Sequence, residues 1–140
     1  MSERLFMIAG KYDLLSDPSD KFYDEFLQAA GVSEAHREAW NMIRPSMEII
    51  RSEGDQWLIK TTSELSNEET LFTSGVETPT QFFGADTDSV FTVEGSTKIV
   101  HKFTAGGKES QIVYEFAPDG MTSTHASQGK AAVRKYKRVA

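Results

Sequence analysis

From Met47 onward the hydrophobic pattern keeps a period of two, and a turn signal interrupts it roughly every 8–12 residues. The runs are Met47–Arg51, Trp57–Ser63, Thr70–Thr73, Val76–Phe82, Ser89–Val93, Lys98–Phe103, Gln111–Phe116, Met121–Ala126 and Ala131–Val139. Between them lie Ser52-Glu53-Gly54-Asp55, Ser66-Asn67, Gly84-Ala85-Asp86, Gly95-Ser96, Gly106-Gly107 and Pro118-Asp119-Gly120. Successive side chains of a strand point to opposite faces, so each run has one face to bury. With a further run at Phe6–Leu15, where Tyr12 and Leu14 share a face, this predicts about ten short strands in an antiparallel sandwich or barrel. Pro79 has no N–H to give to a ladder, which confines Val76–Phe82 to an edge.

Only the stretch between Ser16 and Pro45 breaks this rhythm. Asp17 followed by Pro18 reads as an N-cap with a first-turn proline. Phe22, Phe26 and Ala29 then recur at helical spacing, flanked by Tyr23, Leu27 and Ala30. Gly31 stops that helix, Ser33 caps a second with Ala35, Ala39, Met42 and Ile43 on one face, and Pro45 ends it. The result is a helix–turn–helix, placed to cover one mouth of a barrel. A DNA-reading version wants a basic second helix, and here Glu34 and Glu38 offset Arg37 and Arg44. The formal net charge of −6 also argues against nucleic acid, whose phosphates a partner must neutralise.

Other chemistries find little support. Without cysteine there is neither a disulfide framework nor a thiolate site. His36, His101 and His125 lack metal-site spacing and read as exposed or internally satisfied. Gly106-Gly107-Lys108 lacks the upstream glycine and following hydroxyl of a phosphate loop and reads as a hairpin turn. Glu68-Glu69 falls beside a turn and reads as solvated, and there is no Gly-x-Ser-x-Gly elbow. The start, MSERLFMIAGKYD, does not read as a signal peptide, and no run approaches a membrane span. The expectation is a single cytosolic domain over residues 1–140, without metal or cofactor.

The closing run carries the sharpest question. Arg134 and Tyr136 share one face; Lys135 and Lys137 share the other with Val133 and Val139. The lysines favour turning Arg134 inward and the valines oppose it, so parity alone leaves a solvated basic tail and an inward arginine both open. An inward arginine requires a negative partner, from the protein or from a ligand. Thr61, Thr92 and Ser123 fall among the inward aromatics Phe72, Phe91, Phe103 and Phe116, a mixture that suits a partly wet cavity better than a dry core. Hydroxyls facing solvent remain the competing arrangement.

Several stretches, in order, resemble the intracellular lipid-binding proteins, the fatty-acid-binding and cellular-retinoid-binding family. They are Gly10-Lys11-Tyr12-Asp13-Leu14; Phe22 and Phe26; Gly31-Val32 and Arg37; Pro45, Ile49 and Gly54-Asp55; Ile59-Lys60-Thr61-Thr62-Ser63; Phe72 with Gly75-Val76-Glu77; Lys98-Ile99-Val100-His101; and Arg134-Lys135-Tyr136. The resemblance spans nearly the whole chain. It implies an all-β fold, a ten-stranded antiparallel flattened β-barrel capped by a helix–turn–helix around an internal cavity. It also implies that Arg134 and Tyr136 hold a fatty-acid carboxylate, that Phe22 and Phe26 line core and portal, and that Leu65 sits at the gate. Where many members carry another arginine or glutamine on the eighth strand, this chain has Tyr114. The Ser16–Lys21 loop is longer than usual in the family, and Gly75–Thr87 departs from its pattern.

The reading is a non-enzymatic, cytoplasmic, monomeric carrier of a long-chain fatty acid, with ligand-binding residues Arg134, Tyr136, Tyr114, Phe22, Phe26 and Leu65. Acids on the helical pair (Asp20, Asp24, Glu25, Glu34, Glu38) predict at most transient contact with anionic membranes. The alternatives are a carrier of retinoid or another bulky lipid, a small barrel enzyme using Tyr114, Glu115 and Lys60, and a ligand-free protein-interaction module.

Overall fold

The structure, a computed structural model, describes residues 8–65, 67–82 and 85–139. Its strands are β1 (Gly10–Leu14), β2 (Ser46–Arg51), β3 (Gln56–Thr62), β4 (Asn67–Thr73), β5 (Glu77–Phe82), β6 (Ala85–Glu94), β7 (Lys98–Ala105), β8 (Lys108–Ala117), β9 (Gly120–Ser127) and β10 (Lys130–Arg138). Two helices, α1 (Lys21–Ala29) and α2 (Glu34–Trp40), follow β1. Hydrogen-bonded neighbours run β4-β3-β2-β1-β10-β9-β8-β7-β6-β5 in one antiparallel sheet. The meander curls into a nearly closed barrel because β1 pairs on both sides, Tyr12 lying opposite Met47 of β2 and Arg138 of β10. The two ends of the sheet, β4 and β5, meet without a ladder, and Pro79 lies on one of them.

Alternation builds each wall. Along β10, Ala132, Arg134 and Tyr136 are buried while Val133, Lys135 and Lys137 are exposed. The parity conflict is thus settled against the valines: Val133 and Val139 stay half exposed, and Arg134 is 2% exposed. Between β7 and β8, Ala105 and Lys108 pair across Gly106-Gly107, both at positive φ (58° and 78°), the two-residue turn whose twist suits a hairpin.

The buried residues form two groups. The larger joins Tyr12, Met47, Ile49, Trp57, Phe72, Phe91, Ile99 and Phe116 from strands around the barrel. The smaller joins Tyr23, Phe26, Leu27 and Val32 of the helical pair to Phe103, Ile112 and Ala132 of the wall. Burying Phe26 and Leu27 completely contributes about 1.5–3 kcal/mol each to holding α1 in place. Ser33 caps α2 as expected, accepting from the His36 N–H. The two helices are tied into one lid by Asp24 of α1, which faces Arg37 of α2 at 3.3 Å and accepts from Asn41 Nδ2.

Four expectations need correction. The cap of α1 is Asp20, whose side chain accepts from the Phe22 N–H; Asp17 instead accepts from the backbone N–H and hydroxyl of Ser19, a local turn that uses up its cap chemistry. The buried face of α1 is Tyr23, Phe26, Leu27 and, just beyond it, Ala30, so Phe22 is 61% exposed. Helix α2 ends at Trp40, buries none of its residues fully, and leaves Met42 exposed. Thr92 sits on the opposite face of β6 from inward Phe91. Phe6, the expected start of the first strand, and Ser66 lie outside the described residues.

Candidate functional site

The barrel encloses a cavity of about 400 Å³, opening beside the lid. Its inner wall is built by ladder rows. Arg134 on β10 pairs with Ser123 on β9, which pairs with Tyr114 on β8, which pairs with Ile99 on β7. One row on, His125, Ile112 and His101 stand side by side on β9, β8 and β7. Because every second residue points inward, these neighbouring rows bring one arginine, two histidines and several hydroxyls into a single space.

Arg134 is the centre of this arrangement. Its Cζ lies 3.6 Å from the centroid of the Tyr23 ring, so helix α1 covers one face of the guanidinium. Its Nε and Nη2 are buried without a hydrogen-bond partner among the described residues. Among the described residues no carboxylate pairs with it, and Glu68, exposed on β4, is the one acid lining the cavity. Three phenols, Tyr23, Tyr114 and Tyr136, line the cavity with the cation. Burial pushes the Tyr136 hydroxyl up to about 12 against the opposing pull of Arg134. Burial likewise raises Tyr23, again opposed by Arg134, and raises Tyr114, which the neighbouring Tyr136 and Tyr23 raise further. All three remain protonated donors at neutral pH.

Both inward histidines are neutral. Burial pushes His101 and His125 down from 6.5 to about 3, and for His125 the charge of Arg134 adds to it. Each ring is held through Nε2 on a serine hydroxyl, Ser89 at 2.9 Å for His101 and Ser123 at 2.8 Å for His125. Aromatic rings pack around both: Phe91 stacks on His101 with centroids 3.9 Å apart, and Tyr23 and Phe26 meet His125 edge-on. Neither Nδ1 has a partner among the described residues. Sequence spacing gave no hint of this pair. Only the register of β7, β8 and β9 aligns positions 24 residues apart in one row.

Of the residues singled out from sequence, Arg134, Tyr136 and Tyr114 line the cavity together. Leu65, half exposed after β3, borders its opening. Phe26 is fully buried beneath the lid, against His125, and is not part of the cavity lining; Phe22 faces outward and does not line it either. The residues considered for an enzyme are not assembled, because Glu115 is exposed and Lys60 lies on the outward face of β3 while Tyr114 faces in. No group of three or more His, Asp or Glu able to hold a metal occurs among the described residues. No described helix is long and apolar enough to cross a membrane. Chemically, the site is a buried cation ringed by neutral donors inside a largely apolar hollow, suited to an anion with a hydrophobic body.

The model of the lipocalin and cytosolic fatty-acid binding protein family matches residues 9–138. A "Fatty acid-binding protein" of Tyrophagus putrescentiae is 36% identical over 135 residues, covering 96% of this chain and 99% of the relative. A protein of the same name from Lepidoglyphus destructor is 33% identical over 132 residues, covering 94% and 97%. Among solved structures, that of a Schistosoma mansoni fatty acid binding protein in complex with arachidonic acid is similar with a TM-score of 0.89 at 25% identity, covering 98% of this chain and 99% of the other.

Proposed function

From the premise that the chain belongs to the lipocalin and cytosolic fatty-acid binding protein family, we propose that it is a non-enzymatic cytosolic carrier of a long-chain fatty acid, whose carboxylate is held by Arg134 and Tyr136. The observation that carries this reading is the buried Arg134 guanidinium, with two N–H-bearing nitrogens unsatisfied and no acid paired to it among the described residues. A buried cation left so is costly, and a ligand carboxylate removes the cost. Arginine suits the task because its planar fork matches a carboxylate and it stays charged when buried. Tyr136, held protonated, adds an O–H donor. The relatives' names, and the arachidonic acid in the Schistosoma mansoni structure, support the ligand class.

Head and tail divide the work. Each buried CH₂ contributes about 0.8 kcal/mol before ordering costs, so a long tail supplies most of the affinity. The head group supplies orientation, and pairing with Arg134 keeps it ionised. Replacement of Arg134 by Ala therefore weakens binding of palmitate far more than binding of its methyl ester, measured by calorimetry for both ligands. Equal losses for acid and ester would remove Arg134 from the head-group site.

A further inference from the structure

Across the barrel from Arg134, the cavity wall carries a cluster that an unsubstituted acyl tail leaves unused. Thr80 of β5, Thr87 and Ser89 of β6, and His101 of β7 all line the cavity. The Thr80 and Ser89 hydroxyls are 2.7 Å apart, Thr87 lies 3.3 Å from each, and Ser89 also meets His101 Nε2 at 2.9 Å. A hydroxyl can take part in three hydrogen bonds, one as donor and two as acceptor. Ser89, fully buried, uses all three. Among the described residues Thr80 and Thr87 use two each, which leaves one position on both, and His101 Nδ1 is buried without a partner. The cluster is internally connected but not saturated, and Phe91, Phe103 and Ile112 line the cavity with it.

We propose that this cluster is a second polar subsite that selects fatty acids bearing a hydroxyl remote from the carboxylate over unsubstituted acids of the same length. The inference rests on the head-group reading above, which fixes the carboxyl end at Arg134. From β10 to β6 is four ladder steps of about 4.8 Å along the wall, so the subsite lies well down the chain rather than beside the head. The four contacts consume the three hydroxyl protons and one on His101 Nε2, so the positions left on Thr80 and Thr87 are acceptors. A hydroxyl is the fitting group because it donates to them, whereas a keto oxygen only accepts. The imidazole stays neutral in this environment, so the subsite offers no charge and does not compete with Arg134 for the carboxylate.

The test compares stearate, stearate hydroxylated in mid-chain, and α-hydroxystearate, whose hydroxyl stays beside the head group, by calorimetric titration of the delipidated protein. One added net hydrogen bond predicts that the mid-chain hydroxy acid binds up to about tenfold tighter than stearate, while the α-hydroxy acid gains less than about twofold. In T80V/S89A the preference collapses and stearate binds at least as well as before. Thr80→Val alone, on an edge strand, gives the same direction if the double variant does not fold. Equal affinity of all three acids for the unaltered protein overturns the subsite and leaves the head-group reading intact. Failure of stearate and both hydroxy acids to bind overturns both.

Discussion

Arg134 concentrates the chemistry of this molecule in one side chain. Its burial follows from a two-residue period that also buries Ala132 and Tyr136, and its unsatisfied nitrogens follow from the lack of a paired acid among the described residues. Tyr136 plays a smaller part. Replacing it with Phe keeps the ring in the core and removes the hydroxyl with its hydrogen bond to Arg134, which predicts a loss of about 0.5–1.5 kcal/mol for palmitate and a smaller one for its methyl ester, whose neutral carbonyl accepts more weakly, by calorimetry. A loss equal to that of the Arg134→Ala change would contradict the smaller part assigned to Tyr136. Much at this scale was legible in the sequence. Lys135 and Lys137 favoured turning Arg134 inward while Val133 and Val139 opposed it, so alternation left its direction open, and the family pattern supplied both the inward orientation and the Tyr114 position. His101 and His125 were not, because a histidine carries no signature of burial and their neighbourhood exists only through strand pairing.

Among the elements, the hairpin of β9 and β10 carries the site, and its start depends on a glycine. A Cβ at Gly120 would collide with the backbone carbonyl of Tyr136 on the paired strand, and backbone cannot swing away. Gly120→Ala is expected to destabilise the fold by about 1–3 kcal/mol, seen as a lower urea midpoint, and to weaken palmitate binding by displacing Tyr136. An unchanged midpoint would show that β9 and β10 separate more easily than the geometry implies. The elements themselves were read well from alternation and turn residues, since each strand has one buried and one solvated face. Helix α1 was harder. Phe22 and Tyr23 both fit an apolar stripe, and the cap that fixes the helical phase is Asp20, not Asp17, whose side chain is engaged by Ser19. A one-residue error in phase was enough to turn Phe22 outward.

The molecule as a whole is a shell around one cation, Arg134, and polar groups that folding keeps neutral, among them two histidines that give it a predictable acid sensitivity. His101 and His125 titrate near 6.5 when exposed and near 3 in the fold. Between those values the unfolded chain binds protons that the folded chain does not, so their contribution to stability is complete above about pH 6.5 and is lost as the pH falls toward 3. Each group adds a slope of up to about 1.4 kcal/mol per pH unit. Urea unfolding between about pH 6 and 4 should show stability falling with pH, with a shallower fall in H101Q/H125Q. The same slope in both proteins would mean that the imidazoles are not buried neutral.

Where a ligand's carboxylate comes to rest decides between a head-group site at Arg134 and one elsewhere, and a crystal structure of the protein with palmitate measures that directly. The expected density places the carboxylate oxygens within hydrogen-bond distance of the Arg134 guanidinium and the Tyr136 hydroxyl, with the tail running towards Ser89 and His101. A carboxylate at the opening beside Leu65, with the methyl end against Arg134, would contradict it.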